Sequence, residues 1–536
     1  MTLGPRADSL GEDGGRPMIV SDRAAGQNRD TDLWRGHRGV CSFEGMGDEV
    51  QAGALGREQR QRYREKVQLC LDVFERMLST WTFDSQNPLT GLEIELNLVD
   101  AGYQPTMVNT QVLAEIADPA FQTELGAYNI EFNVLPRSLG GDSMARLEAD
   151  LRASLNQAEQ RAHRHGAHIV MVGILPTIRP EHFERDWMSP SARYAALNDS
   201  IFAERGEDIH VDIHGPERLS VYVSTLATES ACTSVQLHLQ VDPADFAPTW
   251  NAAQVLAGPQ LAVGANSPYF FGRELWRETR TELFQQSTDT RPTELRNQGV
   301  RPRVWFGERW ITSIFDLFEE NVRYFPSLLP ELTDEDPVAE LEAGRAPRLQ
   351  ELRLHNGTVW RWNRPVYDIV DGRPHVRVEN RVLPAGPTVV DILANAAFYY
   401  GTLRMLTDDD RPVWSKLTFP TAEENFHECA RRGMDASVYW PGLGDVTVEE
   451  LVLRRLLPLA YQGLDRWGVT AQVRDRYLGV IENRVKSGRN GAAWQVEAVR
   501  SLQARGHDRR SALTAMLRTY CDGMHSNEPV HTWPLP

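Results

Sequence analysis

Glu93 and Glu95 are one residue apart in the stretch GLEIELN, and on an extended chain that spacing puts both carboxylates on one face. Leu92, Ile94, Leu96 and Leu98 then face the other way. Three further stretches repeat the arrangement. YNIEFNV sets Glu131 and Asn133 against Ile130, Phe132 and Val134. SVQLHLQV sets Gln236, His238 and Gln240 against Val235, Leu237, Leu239 and Val241. VRVENRV sets Arg377, Glu379 and Arg381 against Val376, Val378, Asn380 and Val382. An ordinary solvated strand face mixes Thr, Lys, Ser and Glu. These faces carry Glu, Asn, Gln, His and Arg, with no Lys. Carboxylates on neighbouring strands would stand ~5 Å apart, which is unfavourable for like charges. Such a group persists when cations neutralise it, and magnesium favours carboxylate oxygens while keeping waters for substrate phosphates. The carboxylates therefore predict a divalent-metal site. The interleaved Arg377 and Arg381 predict an anion held beside it. A single Glu-x-Glu is more often plain surface, and a lone histidine such as His238 more often structural. The repetition over four strands carries the expectation, and periodicity leaves the reaction unspecified.

These residues need a sheet to position them, and the rest of the chain supplies one with helices around it. Val67, Leu71, Phe74 and Leu78 recur at helical spacing within residues 57–80. A second amphipathic helix follows Ser143 and ends near His165-Gly166. AHIVMVGILP reads as a buried strand. TWNAAQVLAGPQLAVGA reads as a helix interrupted at Gly258-Pro259, and another helix spans 388–406. Asn356-Gly357 reads as a type I′ hairpin turn between two strands. LTDEDPVAELEAGRAP reads as a surface loop or short helix. Beyond about residue 445 the chain is largely helical. The expected organisation is a poorly ordered extension over residues 1–56, a catalytic domain over 57–444, and a helical region over 445–536 packed on it. Met46 is a plausible true start, which would make the first 45 residues dispensable.

Composition bounds the partners. The chain has 536 residues, with 57 basic against 74 acidic and a formal charge of −17, which argues against nucleic acid or an anionic membrane as partner. No apolar run approaches the ~20 residues of a membrane span. The five cysteines are scattered with no CxxC pair, which suits a reducing cytosol and argues against a disulfide framework or a structural zinc site.

GLEIELNLVD resembles the opening signature of the glutamate–cysteine ligase type 2 carboxylate–amine ligases. The resemblance continues through ELGAYNIEFNVLP, VGILPTIRPEHF, SVQLHLQV, GANSPYFFGRELWRETR, LHNGTVWRWNRPVYD and HVRVENRVLPAGPTVVDILAN, and covers roughly residues 46–500. It implies an α+β fold: a curved, saddle- or funnel-shaped antiparallel sheet like that of glutamine synthetase, with flanking helices. It implies two or more Mg²⁺ ions, with Mn²⁺ as a substitute, and ATP as co-substrate. The γ-carboxylate of L-glutamate, or a similar carboxylate, would be phosphorylated and joined to an amine, which is cysteine in the members serving glutathione-type thiol synthesis. Carried over residue by residue, Glu93, Glu95, Glu131 and Glu379 match metal ligands, with Glu124 a further candidate beside them. His238 matches a histidine near metal and nucleotide, and Arg381 matches the arginine that contacts the transferred phosphate. His238, Glu379 and Arg381 are thus the catalytic candidates. Arg377, Asn133 and Gln236 are candidates for nucleotide or substrate contacts. No GxxxxGK[ST] phosphate-binding loop occurs, so metals and arginines must hold the phosphates.

Other features stay open at this level. Arg364 could hold an α-carboxylate or phosphate and Trp362 could stack on adenine, or both could belong to a packed hairpin. Tyr269, Phe270, Phe271 and Arg273 could wall a substrate pocket, with Arg273 on an anion, or form a helix-terminating turn. Arg291 could reach an anion. GRNGAAWQ could be a flap or a helix-packing turn, and the C-terminal helices a solvated face or a homo-oligomer contact. The same platform would also serve another carboxylate–amine pair, or a catalytically silent nucleotide- or amino-acid-binding regulator. The intact set of carboxylates with Arg381 speaks against the last.

Overall fold

The computed structural model describes residues 57–536. The proposed extension over 1–56, with Met46 and Cys41, lies outside the described residues. The first element is helix α1, Arg57–Thr80, which buries Val67, Leu71 and Phe74 on one face, as their spacing predicts.

At the centre lies a seven-stranded, curled antiparallel sheet. Its strands are β1 (Thr90–Val99), β2 (Phe121–Thr123), β3 (Asn129–Arg137), β4 (His168–Val170), β5 (Val235–Val241), β6 (Asn363–Val370) and β7 (Arg373–Asn380). The order across the sheet is β6-β7-β5-β1-β3-β2, with β4 also paired to β1. The four stretches with polar faces are therefore adjacent strands, β7-β5-β1-β3. The connections between them run through long helical excursions, so strand order and sequence order part company.

One face of the sheet is apolar, and Leu92, Ile94, Leu96 and Leu98 are all buried on it. Helix α4, Val389–Thr407, packs there after α2 (Ser143–Ala162) and α3 (Phe246–Gly264). Thr388 caps α4, its hydroxyl accepting from Asp391 N. Tyr400 of α4 donates its hydroxyl proton to the carbonyls of Gly91 (3.3 Å) and His238 (2.9 Å), tying the helix to β1 and β5 at once. The C-terminal part of the chain adds α5 (Leu457–Arg466), α6 (Ala471–Ser487), α7 (Gly491–Ala504) and α8 (Arg509–Ser526). A Cβ placed on Gly463 of α5 would meet the carbonyl oxygen of Gly401 at 1.8 Å, so the α4–α5 contact requires glycine. Arg484 of α6 pairs with Asp391 of α4 at 2.6 Å, both fully buried.

Several expectations change. The polar face is covered as fully as the apolar one: Glu93, Glu95, Asn97, Gln236, His238 and Glu379 are all buried, so β1 is buried on both faces. Helix α3 runs unbroken through Pro259. It is apolar on every side and buried almost throughout, so packing offsets the one backbone hydrogen bond that proline forfeits. In AHIVMVGILP only His168–Val170 pairs in the sheet, although the stretch beyond is buried. Asn356-Gly357 is no hairpin: Gln350–Asn356 is a helix with Gly357 at its C-cap. The tight hairpin joins β6 to β7 at Asp371-Gly372, where both φ angles are positive (49° and 74°), the requirement of a type I′ turn. The GRNGAAWQ turn packs on a helix: Asn490 caps α7, and Gly491 lies against the Asn266 side chain. The acidic LTDEDPVAELEAGRAP stretch forms a short helix, Pro337–Glu342. No helix among the described residues is long and apolar enough to cross a membrane.

Candidate active site

The sheet register decides which polar side chains meet. Glu95 on β1 stands opposite Glu131 on β3, and Glu93 stands between Asn133 on β3 and Gln236 on β5. His238 on β5 stands opposite Glu379 on β7, which in turn stands opposite Arg364 on β6. Side chains two apart along a strand share a face but lie ~6.6 Å apart. The polar face accordingly divides into two centres.

The first centre is acidic. Carboxylate oxygens of Glu95, Glu131 and Glu124 lie within 4.8 Å of one another. Glu124 follows β2 in the chain and reaches the pair from the sheet edge. Glu95 is held in place: its Oε2 accepts from Ser234 N (2.6 Å), and its Oε1 accepts from Ser234 Oγ (2.9 Å) and Gln236 Nε2 (3.2 Å). Glu131 accepts from Asn133 Nδ2 at 2.8 Å. Burial and mutual repulsion raise the proton affinity of these groups. Burial pushes Glu124 up to about 7, with the Glu95 charge adding to it. Burial, then the charges of Glu93, Glu124 and Glu95, raise Glu131 well above the usual carboxylate range. Glu95 is raised by burial, partly countered by Arg381.

The second centre is an alternating lattice of acid and base. Glu379 accepts from Arg364 Nη2 (2.7 Å) on one oxygen and from Arg381 Nη1 (2.8 Å) on the other. Burial is the largest single influence on Glu379 and works to raise it, but the two guanidiniums together hold it well below the ordinary range. Arg377 Nε donates to His238 Nδ1 at 3.2 Å, which leaves the ring proton on Nε2, the nitrogen 3.0 Å from Glu93 Oε1. Arg377 also pairs with Asp368 at 3.2 Å, as does Arg353 at 3.0 Å. Arg381 joins the two centres, its Nη1 donating to Gln236 Oε1 (2.6 Å) as well as to Glu379.

A cavity of about 470 Å³ opens over the first centre. Its floor is Glu95, Glu131, Glu124 and Arg381. Its walls include Arg193 and Tyr194 from the helix Ala192–Arg205, Glu229, Arg280, Phe284 and Trp360–Trp362. A second cavity of about 50 Å³ adjoins Glu93, Arg364, Asp368, Arg377 and Glu379.

Most of the expected residues converge here. Glu95, Glu131, Arg381 and Trp362 line the larger cavity, and Glu93, Glu379, Arg364 and Arg377 line the smaller. Gln236 braces Glu95 and Arg381, and Asn133 braces Glu131. Trp362 is 2% exposed, wedged near Phe284 and Phe426 with Arg280 over its ring, so the wall is a packed indole. Arg273 is not brought to either cavity. It sits on a separate two-stranded pair, its side chain 56% exposed and 3.8 Å from Glu217. Arg291 is spent on Asp289. Glu229, Arg280, Arg193 and Tyr194 are cavity residues that the strand pattern misses, because they lie on helices and turns where no period marks them.

All donors of the first centre are oxygens, and close carboxylates of raised proton affinity gain from a hard dication. The set fits magnesium.

A model of the glutamate–cysteine ligase family 2 matches residues 89–514. Among solved structures, the chain is similar to a glutamate–cysteine ligase from Francisella tularensis in complex with AMP, at 12% identity over 85% of this chain and 91% of that one, with a TM-score of 0.52. A bifunctional glutathione synthetase from Pasteurella multocida aligns at 12% identity over 87% of this chain and 54% of that one, with a TM-score of 0.46. The ligase PafA, solved with prokaryotic ubiquitin-like protein Pup, aligns at 9% identity over 78% and 69%, with a TM-score of 0.32. No curated protein matches the chain.

Proposed function

The chain belongs to the glutamate–cysteine ligase family 2 and is thereby a ligase of the carboxylate–amine type; on that premise we propose that it uses ATP to phosphorylate the γ-carboxylate of L-glutamate and joins the resulting acyl phosphate to an amine. The observation that carries this reading is the convergence of Glu95, Glu124 and Glu131 beside Arg381 in one cavity.

Two anions must meet, a substrate carboxylate and the γ-phosphate of ATP. Glu95, Glu124 and Glu131 would hold magnesium, which would supply the positive charge that screens the repulsion between the two anions. A carboxylate oxygen attacks the γ-phosphorus and the bond to the ADP oxygen breaks. The amine nitrogen then attacks the acyl carbon, phosphate departs with that carboxylate oxygen, and the amine proton passes to a nearby base. Arg381 is placed to meet the charge growing on the phosphoryl oxygens, because Glu379 and Gln236 fix its guanidinium. Glu379 also orients Arg364, and His238 holds Glu93 on one side and Arg377 on the other. No side-chain nucleophile is required. Cysteine and related amino compounds are the acceptors that family membership favours.

The test is ADP release with Mg²⁺ or Mn²⁺ present. Turnover that requires L-glutamate and rises with an amine supports the reading. ADP release indifferent to every carboxylate and amine offered counts against it.

A further inference from the structure

At the end of helix α2 the chain reads EQRAHRHGAH, with glutamate at 159 and histidines at 163, 165 and 168. Glu159 and His163 are four apart, so the helix stacks them on one face. The three-residue turn His163–His165 then ends the helix, and Gly166 in the left-handed region reverses the chain so that His168 opens β4 beside them. The outcome is a convergence of three side chains. Glu159 Oε1 lies 3.1 Å from His163 Nε2 and 3.1 Å from His168 Nδ1.

We propose that Glu159, His163 and His168 form a binding site for a zinc-class transition-metal dication, separate from the oxygen-only centre of the active site. The donor chemistry selects the class: two imidazole nitrogens and one carboxylate oxygen suit zinc, whereas magnesium takes oxygens. Donors on a tetrahedral zinc with bonds of about 2.0–2.2 Å stand about 3.3–3.5 Å apart, so the two 3.1 Å separations need open by only a few tenths of an ångström, and all three donor atoms already lie within 4.8 Å of one another. The surrounding shell is set as well. Glu159 Oε2 accepts from Ile169 N at 2.6 Å, which turns Oε1 toward both histidines. The His168 ring stacks parallel to Tyr103 at 6.5 Å. Competing cations are drawn away, since Arg161 and Arg164 both pair with Glu115. His163 is half exposed, which leaves an entry path and a fourth position for water. The site would clasp α2 to β4, and β4 pairs His168 with Val99 at the end of β1, the strand that carries Glu93 and Glu95.

The full chain should be titrated calorimetrically with Zn²⁺ in excess Mg²⁺, with Co²⁺ as a spectroscopic probe. The proposal expects one Zn²⁺ per chain that magnesium does not displace, and visible Co²⁺ absorption of the tetrahedral kind. His163→Ala and His168→Ala should each weaken binding by roughly tenfold or more. His163→Ala removes a half-exposed ring, so it keeps the test open if His168→Ala disturbs the fold. Absence of Zn²⁺ binding under these conditions, or an isotherm unchanged in His163→Ala, would overturn the proposal.

Discussion

Glu95 on β1 and Glu131 on β3 face each other directly in the antiparallel register, with Glu124 close enough that oxygens of all three lie within 4.8 Å. Two carboxylates opposed across a strand pair destabilise a sheet unless something intervenes. Burial and repulsion raise the proton affinity of all three groups, and a dication would compete with those protons.

That exchange has a pH sign. Glu124 titrates near 7 in the folded chain against 4.5 for the free side chain, and Glu131 and Glu95 are shifted in the same direction. Between those values the folded state binds more protons than the unfolded state, so metal-free stability falls as pH rises through that window. Added Mg²⁺ should therefore raise the melting temperature more at pH 8 than at pH 5.5. Equal shifts at both values would contradict the assignment of the dication to these carboxylates.

Glu131→Gln keeps the shape of the side chain and removes one of the facing ionisable groups. Its metal-free melting temperature should equal or exceed that of the wild type. Its Mg²⁺-dependent ADP formation should drop about 100-fold or more, in line with removing a group that organises transition-state charge. Calorimetry and a coupled ADP assay check the two halves separately.

Glu379→Ala should behave differently, although the residue sits on the same sheet face. It would leave Arg364 and Arg381 buried with no carboxylate between them. Breaking such a pair costs about 3–5 kcal/mol, so the denaturant midpoint should fall at an unchanged slope. The stabilising effect of Glu379 also has the opposite pH sign: its lowered affinity for protons favours the fold above the ordinary carboxylate range and is lost as pH falls below it.

Gly372→Ala serves as a control remote from the chemistry. Gly372 has φ of 74° in the β6–β7 hairpin, with open space where a Cβ would go. Backbone strain alone should cost about 1 kcal/mol, with ADP formation per folded molecule unchanged.

Alternation in four short stretches was enough to find the sheet's polar face, because buried strands must segregate their side chains by parity. Parity does not give strand order, so it could not show that Glu93 and Glu95 serve different centres, Glu95 toward Glu131 and Glu93 toward His238. Nor could it show that the face is roofed. Glu229, Arg280 and Arg193 reach the cavity from turns and helices, where no period marks them. Turn chemistry misled once: Asn356-Gly357 and Asp371-Gly372 are both type I′ dipeptides, and only the second lies between strands that pair. Arg273, in an aromatic-rich stretch that resembles a pocket wall, lies on a separate two-stranded pair whose other residues are buried, and its own side chain is exposed beside Glu217.

The proposed reaction begins with attack of a substrate carboxylate on ATP. The direct measurement is turnover of L-glutamate labelled with ¹⁸O in its γ-carboxylate, with hydroxylamine as the accepting amine. If the acyl phosphate forms, the inorganic phosphate released carries one labelled oxygen per turnover. Phosphate free of label, at a rate of ADP formation that matches product, would rule out attack by the γ-carboxylate.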